Sequence, residues 1–151
     1  MDRRRRELVQ HSYERLAPGL NGLVETFYST LLLRAPDVAR LFPADMTRLR
    51  AHFAGALAIL ARNAVNIEAM DESLQQMGAR HASYGVRPEH YAVVQAVLLD
   101  TLETVAGPIW TPTLRDAWGD LIAHVSRTML HGAAQAALDA AARLTKSPAP
   151  I

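Results

Sequence analysis

His81 is the residue of this 151-residue chain whose type and setting point most directly to chemistry. It shares one face of a predicted helix with Leu74 and Met77, so its imidazole would stand on an apolar surface. A neutral imidazole can coordinate a metal through one ring nitrogen while a hydrogen-bond partner holds the other. One imidazole facing an apolar wall in an all-helical protein is how haem iron is held from one side.

Upstream of this histidine, bulky side chains recur in an order that could build the wall. Tyr28 and Phe42 come first, and a further apolar stripe runs through Leu49 and Phe53 at helical spacing. A lone histidine on an apolar face is more often a hydrogen-bonded core residue than a ligand. The order and spacing of the four residues before His81 favour the ligand interpretation.

The hydrophobic pattern predicts helices joined by short connections, and no run alternates like a strand. Proline and glycine fall almost wholly between the periodic segments. The predicted helices cover about 4–16, 20–34, a short one over 36–42, one that is capped by Asp45 or Thr47 and reaches about 63, then 71–83, 88–105 and 112–144. We expect Asp71 to be an N-cap. One domain over residues 1–145 and a short flexible tail over 146–151 follow from this pattern.

Composition excludes several classes of function. Half of the residues are hydrophobic, and the formal net charge of +1 predicts no strong attraction to nucleic acid or to a membrane surface. The chain has no cysteine, which rules out thiolate chemistry and fits a reducing cytoplasm. No uninterrupted apolar run approaches the ~20 residues that span a bilayer. We therefore expect no membrane span and a cytoplasmic location.

Two segments of the sequence resemble the globin family, nearest to single-domain bacterial globins, the haem domains of flavohaemoglobins, and neuroglobin. Residues 77–91 resemble the proximal helix and the corner after it, and residues 107–119 resemble the start of the last helix. The likeness covers about residues 7–132. The ordered set that carries it is Tyr28, Phe42, His81, Tyr91 and Trp118. It implies an all-α globin fold, with helices crossing in pairs around haem b.

The resemblance also implies roles for individual residues. His81 matches the proximal iron ligand and Phe42 the phenylalanine that wedges against the porphyrin; an ordinary core aromatic is the alternative for Phe42. Tyr28 matches the distal tyrosine whose hydroxyl can donate to bound dioxygen, unless it bonds a backbone carbonyl instead. Met77, Val86 and Val94 are expected beside the cofactor.

The distal helix departs from the family pattern. Counting back from His81 puts Leu49 where histidine or glutamine is usual, with Phe53 at the next inward position. Apolar residues there would exclude water and disfavour anions. His52 lies three residues after Leu49 and has two interpretations. We favour a side chain turned toward a haem propionate or solvent, and the other is a sixth iron ligand.

Tyr91 resembles the proximal-side tyrosine that flavohaemoglobins pair with a glutamate on the last helix. The matching position here is Ala133, with His131 nearby. The missing carboxylate predicts weak peroxidase chemistry. We expect His11 and His90 on the surface. His124 and His131 share a face, which could form a metal pair but is better explained as a solvated face or a subunit contact.

The function implied by the resemblance is reversible binding of dioxygen, with carbon monoxide or nitric oxide as other ligands. One alternative is oxidation of nitric oxide to nitrate with a separate reductase, because no flavin or nicotinamide domain follows in this sequence. Another is a gas-sensing module that signals to a partner. A homo-oligomer through the long final helix is possible on this reasoning, and so is a helical bundle that binds no haem.

Overall fold

The computed structural model describes residues 2–146 and contains helices but no strands over that range. The expected all-α class is thus confirmed. Six α-helices follow one another along the chain: α1 (Arg3–Leu16), α2 (Leu20–Arg34), α3 (Thr47–Arg62), α4 (Asp71–Ser83), α5 (Pro88–Ala106) and α6 (Pro112–Lys146). Residues 147–151, nearly all of the predicted tail, lie outside the described residues.

Short 3₁₀ turns replace α-helix in the connections. They cover Ala17–Gly19, Pro36–Leu41, Ala64–Met70 and Gly107–Ile109. The short helix predicted over 36–42 is therefore a 3₁₀ helix, which suits a segment too brief to complete several α-turns. Gly107 has a positive φ of 55°, so its lack of a Cβ allows the chain to turn after α5.

The prediction that Asp71 caps α4 was wrong by one position. Met70 holds the cap position, because the 3₁₀ turns over 64–70 lead directly into the helix. Asp71 is the first helical residue, where its charge favours the helix N-terminus. Its carboxylate oxygen Oδ1 lies 2.8 Å from Nε2 of His124 on α6. This contact ties the start of α4 to the last helix.

The main core lies among α1, α2, α3, α5 and α6. Trp118 of α6 is fully buried, and its indole Nε1 donates a hydrogen bond of 2.9 Å to Oγ of Ser12 on α1. That hydroxyl in turn donates to the carbonyl of Val9. The polar end of the tryptophan is satisfied inside the core, so α1 and α6 are joined in a defined register.

The helix α5 is more apolar than the sequence analysis anticipated. By length and composition, the stretch Pro88–Ile109 could cross a membrane, which makes it the one such stretch among the described residues. The stretch is not an uninterrupted apolar run, because it contains Glu89, Asp100 and Glu103, and the expected absence of a membrane span stays a prediction. The helix buries Val97, Leu98 and Leu102 where it packs against α2 and α6.

His90 is buried, with 9% of its surface exposed, although a surface position was expected. Its Nδ1 accepts a hydrogen bond of 2.9 Å from the backbone N–H of Arg87, at the start of α5. The imidazole therefore satisfies a helix N-terminal donor that would otherwise be unpaired. The sequence analysis missed this role because histidine is not among the residues preferred for capping helix N-termini. His11 is exposed, as expected.

Candidate functional site

The imidazole of His81 is held in a defined orientation near the end of α4. Its Nδ1 lies 2.8 Å from the carbonyl oxygen of Met77, one turn earlier in the same helix. A carbonyl can only accept, so Nδ1 carries the proton and Nε2 is left with a free lone pair. The ring is half-buried, and Nε2 has no hydrogen-bond partner within residues 2–146. This is the arrangement that a histidine needs to ligate a metal.

A groove of about 350 Å³ lies beside this helix, between α3 and α4. Its lining is mostly small or apolar: Ala51, His52, Gly55, Ala56, Ile59, Leu60, Met70 and Met77. Over the described residues, α3 and α4 make no extensive direct contact. Space for a flat apolar group therefore exists between them.

An aromatic cluster includes Phe53 of α3, the residue next to His52. The ring of Tyr28 packs edge-on against Phe42 and against Phe53, with centroids 5.6 Å apart in each case. Phe53 also stacks on Phe27 at 4.6 Å. Tyr28 is only 6% exposed, and its hydroxyl has no hydrogen-bond partner within residues 2–146. The alternative in which Tyr28 bonds a backbone carbonyl does not occur in this structure.

Burial raises the pKa of Tyr28 to about 12, against a small opposing effect of the positive charge of Arg50. The phenol ordinarily ionises near pH ~10. Tyr28 therefore remains a protonated hydrogen-bond donor through the neutral and mildly alkaline range.

We expect this pKa shift to appear as a late step in an alkaline titration followed by tyrosinate absorbance. The unfolded chain loses the Tyr28 proton near pH ~10, whereas the folded chain loses it near pH 12. The free energy of unfolding is therefore unaffected by this group below pH ~10, and it falls as the pH rises from there to 12. Tyr28→Phe should remove the late step. Tyr91→Phe is the control, since burial also raises the pKa of Tyr91 but in another element. A step near pH 12 that persists in Tyr28→Phe would contradict the assignment.

The structure brings only some of the predicted site residues to the groove. His52 and Met77 line it, and His81 follows Met77 by one turn. Leu49 and Phe53 are half-buried and pack against the core. The proposed roles of Leu49 and Phe53 beside a bound group stay predictions.

Four other predicted residues are half-buried. Phe42 contacts the ring of Tyr28, Val86 lies just before α5, and Tyr91 and Val94 lie within α5. Burial raises the pKa of Tyr91. Their contacts with a cofactor also stay predictions.

Six groove residues were missed by the sequence analysis: Ala51, Gly55, Ala56, Ile59, Leu60 and Met70. The four from Gly55 to Leu60 continue from His52 at steps of three and four, which is a helical face. The signal was available, but glycine and alanine have little weight in a hydrophobic stripe. The larger Leu49 and Phe53 on the adjacent face attracted the prediction instead.

A second, smaller cavity of about 180 Å³ lies between α1 and α6 and contains none of the predicted site residues. Its lining includes Arg6 and Glu68, which pair with each other, and His124, which is bonded to Asp71. The guanidinium of Arg6 lowers the pKa of the Glu68 carboxyl to about 2. These pairs join α1 to the 64–70 turns and α6 to α4. We therefore assign the charged residues of this cavity a structural role.

Comparison with known proteins agrees with this geometry. The family model described as Globin matches residues 25–129. The chain is 27% identical to the anaerobic nitrite reductase HBII of Casuarina glauca, over 75% of this chain and 80% of that protein. It is 28% identical to the flavohemoprotein of Xylella fastidiosa over 75% of this chain, but covers only 29% of that longer protein.

A solved structure is similar over nearly its whole length. It is an engineered carbene transferase from Rhodothermus marinus, made from a protein provisionally assigned as a nitric oxide dioxygenase. The TM-score is 0.83 and the identity 29%, covering 93% of this chain and 99% of that one. The bacterial globin of Campylobacter jejuni has the same fold, with a TM-score of 0.78 at 20% identity over 89% of this chain and 97% of that one.

The chain belongs to the globin family. It is accordingly a haem-binding protein that binds small gases. The residues present fit the haem group, since the imidazole of His81 is preoriented with a free Nε2, one turn after Met77 of the apolar groove, and α3 and α4 make no extensive direct contact.

Proposed function

We propose that this globin binds dioxygen reversibly at haem b, in the cytoplasm of a bacterium. The single observation that carries the proposal is the imidazole of His81, which is oriented by the carbonyl of Met77, a residue that lines the apolar groove. The absence of cysteine suits a reducing compartment. The likeness to a Rhodothermus marinus protein supports a bacterial origin.

Each element of the chain has a separate task in this proposal. His81 supplies the ligand nitrogen, and the carbonyl of Met77 accepts the proton-bearing side of the ring, which increases the basicity of Nε2. Phe42 braces the cofactor through its contact with the Tyr28 ring. Haem, when bound, would supply a ferrous iron able to bind one diatomic gas molecule.

Tyr28 is the polar group that we assign to the gas. Its protonated hydroxyl has no internal partner and is free to donate to dioxygen, whose bound form is partly negative. Carbon monoxide and nitric oxide would bind without gaining as much from this donor. Apolar neighbours exclude water and disfavour anions, which lose hydration without a matching donor.

The test is a set of optical spectra of the purified protein in the ferric, ferrous and carbonmonoxy forms, followed by exposure of the ferrous form to dioxygen. We expect an intense violet haem band, a five-coordinate ferrous form and a dioxygen complex that forms and dissociates repeatedly. A protein that takes up no haem would overturn the proposal. So would one whose ferrous form is oxidised at once without a dioxygen complex.

A second candidate is nitric oxide dioxygenation, which the Tyr28 donor also favours. The name of the Rhodothermus marinus protein supports it. Turnover requires electrons that restore the ferrous iron, and we propose a separate reductase as their source. Nitrate production sustained by such a reductase would favour this candidate. A long-lived dioxygen complex with no nitrate formed would favour carriage.

His52 provides a separate prediction about the gas side. Its side chain is exposed at the edge of the groove, which suits contact with a propionate or with solvent. We therefore expect His52→Ala to leave the ferrous spectrum five-coordinate and unchanged. His131→Ala is the matched control, since His131 is an exposed histidine on α6. A six-coordinate low-spin spectrum in the parent that becomes five-coordinate in His52→Ala would show that His52 ligates the iron.

A further inference from the structure

The helix that carries His81 is attached to the rest of the protein through α6. Within residues 2–146, the extensive contacts of α4 are with α6 and with the 64–70 turns that precede it. The buried residues of α4 are Leu74 and Gly78, and neither belongs to the main core. The position of α4 therefore depends on what α6 presents to it.

Two glycines bring the backbones of these helices together. A Cβ added to Gly78 would overlap the backbone of Met129, and a Cβ added to Gly132 would overlap the backbone of Gln75. The obstructing atoms belong to main chain, so no change of rotamer can relieve the overlap. Neither glycine has a positive φ. What the two positions require is space, because any side chain would separate the helices.

This contact lies next to the atoms that orient His81. Gly78 is three residues before His81, and the carbonyl that accepts from the imidazole belongs to Met77, directly before Gly78. A displacement of α4 at Gly78 would therefore move the imidazole together with its acceptor. Gly132 is on α6 and is not part of the groove lining.

We propose that Gly78 and Gly132 are positioning residues for the bond between His81 and the haem iron. The close approach that they allow sets how far α4 stands from α6, and so sets the length and tilt of that bond. The inference rests on the proposed role of His81 as iron ligand. It goes beyond that role because it assigns control of the ligand to the last helix.

The first test uses Gly132→Ala, which changes α6 alone. Adding a methyl group to a closed contact typically strains a fold enough for a tenfold effect or more. We expect a shift of the iron–histidine stretching band in the resonance Raman spectrum of the ferrous, gas-free protein, and about tenfold faster loss of haem to an acceptor protein. Gly78→Ala should shift the same band.

Gly119→Ala is the matched control on the same helix. The nearest atom to its added Cβ is Cδ1 of Leu99 at 3.9 Å, an ordinary contact, so the band should stay in place. An unshifted band in folded, haem-loaded Gly132→Ala would overturn the inference. An equal shift in Gly119→Ala would also overturn it, because the effect would then follow from any glycine change in α6.

The second test disconnects the ligand from α4. In His81→Gly with added imidazole, the iron is ligated by a free molecule that the helix does not hold. Gly132→Ala in that background should leave the iron–imidazole band unchanged, and a persisting shift would overturn the inference.

A measurement on unsubstituted α6 covers the case in which the alanine variants do not fold. Coupling between two sites is reciprocal. Removing the covalent link between α4 and the iron ligand should therefore make the backbone of α6 more mobile as well. We expect slower hydrogen exchange of the amides at 129–132 in the parent holoprotein than in His81→Gly with imidazole. Equal exchange would overturn the inference. A parent protein that shows no iron–histidine band at all would instead refute the proposed function.

Discussion

Replacing His81 with glycine is expected to remove the protein's bond to the haem iron. Added imidazole should restore a five-coordinate ferrous spectrum, because the small ligand can occupy the space that the side chain leaves. The free imidazole is not tethered by the helix, so haem should also be lost far faster, by at least about tenfold. Optical spectra and transfer of haem to an acceptor protein measure both effects.

The control for this replacement is His11→Gly. It makes the same chemical change in an exposed helical position of α1, away from the groove. The free energy of unfolding of His11→Gly should fall by ~1 kcal/mol, because glycine has a low helix propensity. The haem spectrum of this variant should not change. If His81→Gly keeps the parent spectrum without added imidazole, another residue ligates the iron and the site described here is not the haem site.

Replacing Tyr28 with phenylalanine is expected to speed the dissociation of dioxygen by roughly 5- to 150-fold. The change removes one hydrogen bond of about 1–3 kcal/mol to a partly charged acceptor in a dry pocket. The ring and its edge-on contacts with Phe42 and Phe53 should remain. Carbon monoxide dissociation, measured on the same protein by rapid mixing, should change much less because that ligand carries less negative charge.

Tyr13→Phe is the matched control for this effect. Tyr13 is a buried tyrosine of α1, 2% exposed, and its ring faces the guanidinium of Arg62 and not the groove. The dioxygen rate should therefore be unaffected there. An unchanged rate in Tyr28→Phe would mean that another donor, with His52 the nearest candidate on the groove edge, stabilises the gas.

Much of the fold could be predicted because it depends on local patterns. The apolar spacing of three and four, interrupted by proline and glycine, defined the helices α2, α3 and α5 to within a residue or so at each end. The same periodicity placed His81 one turn after Met77, and the imidazole of His81 bonds the backbone carbonyl of Met77. The resemblance to globins rested on residues far apart in sequence, and the family match confirms it.

Other features depend on which helices meet, and a single sequence does not state that. The groove is lined by His52 and Ala56, whereas the predicted stripe consisted of Leu49 and Phe53. The two faces of α3 differ by one position along the helix. An error of that size cannot be detected without the neighbouring helix, because both faces of α3 carry apolar residues. The buried state of His90 arose in the same way, from a partner at the start of α5.

By itself, the sequence determined the helical class and the approximate ends of the helices, and it predicted His81 as the ligand of an iron. These follow from local backbone preference and from the period of hydrophobic residues, which act within a few turns. Only the tertiary structure decided how the helix of His81 is supported, since Gly78 and Gly132 read as weak helix formers until Met129 and Gln75 are placed against them. Close packing is a property of pairs of surfaces, and those pairs form only when the chain is folded.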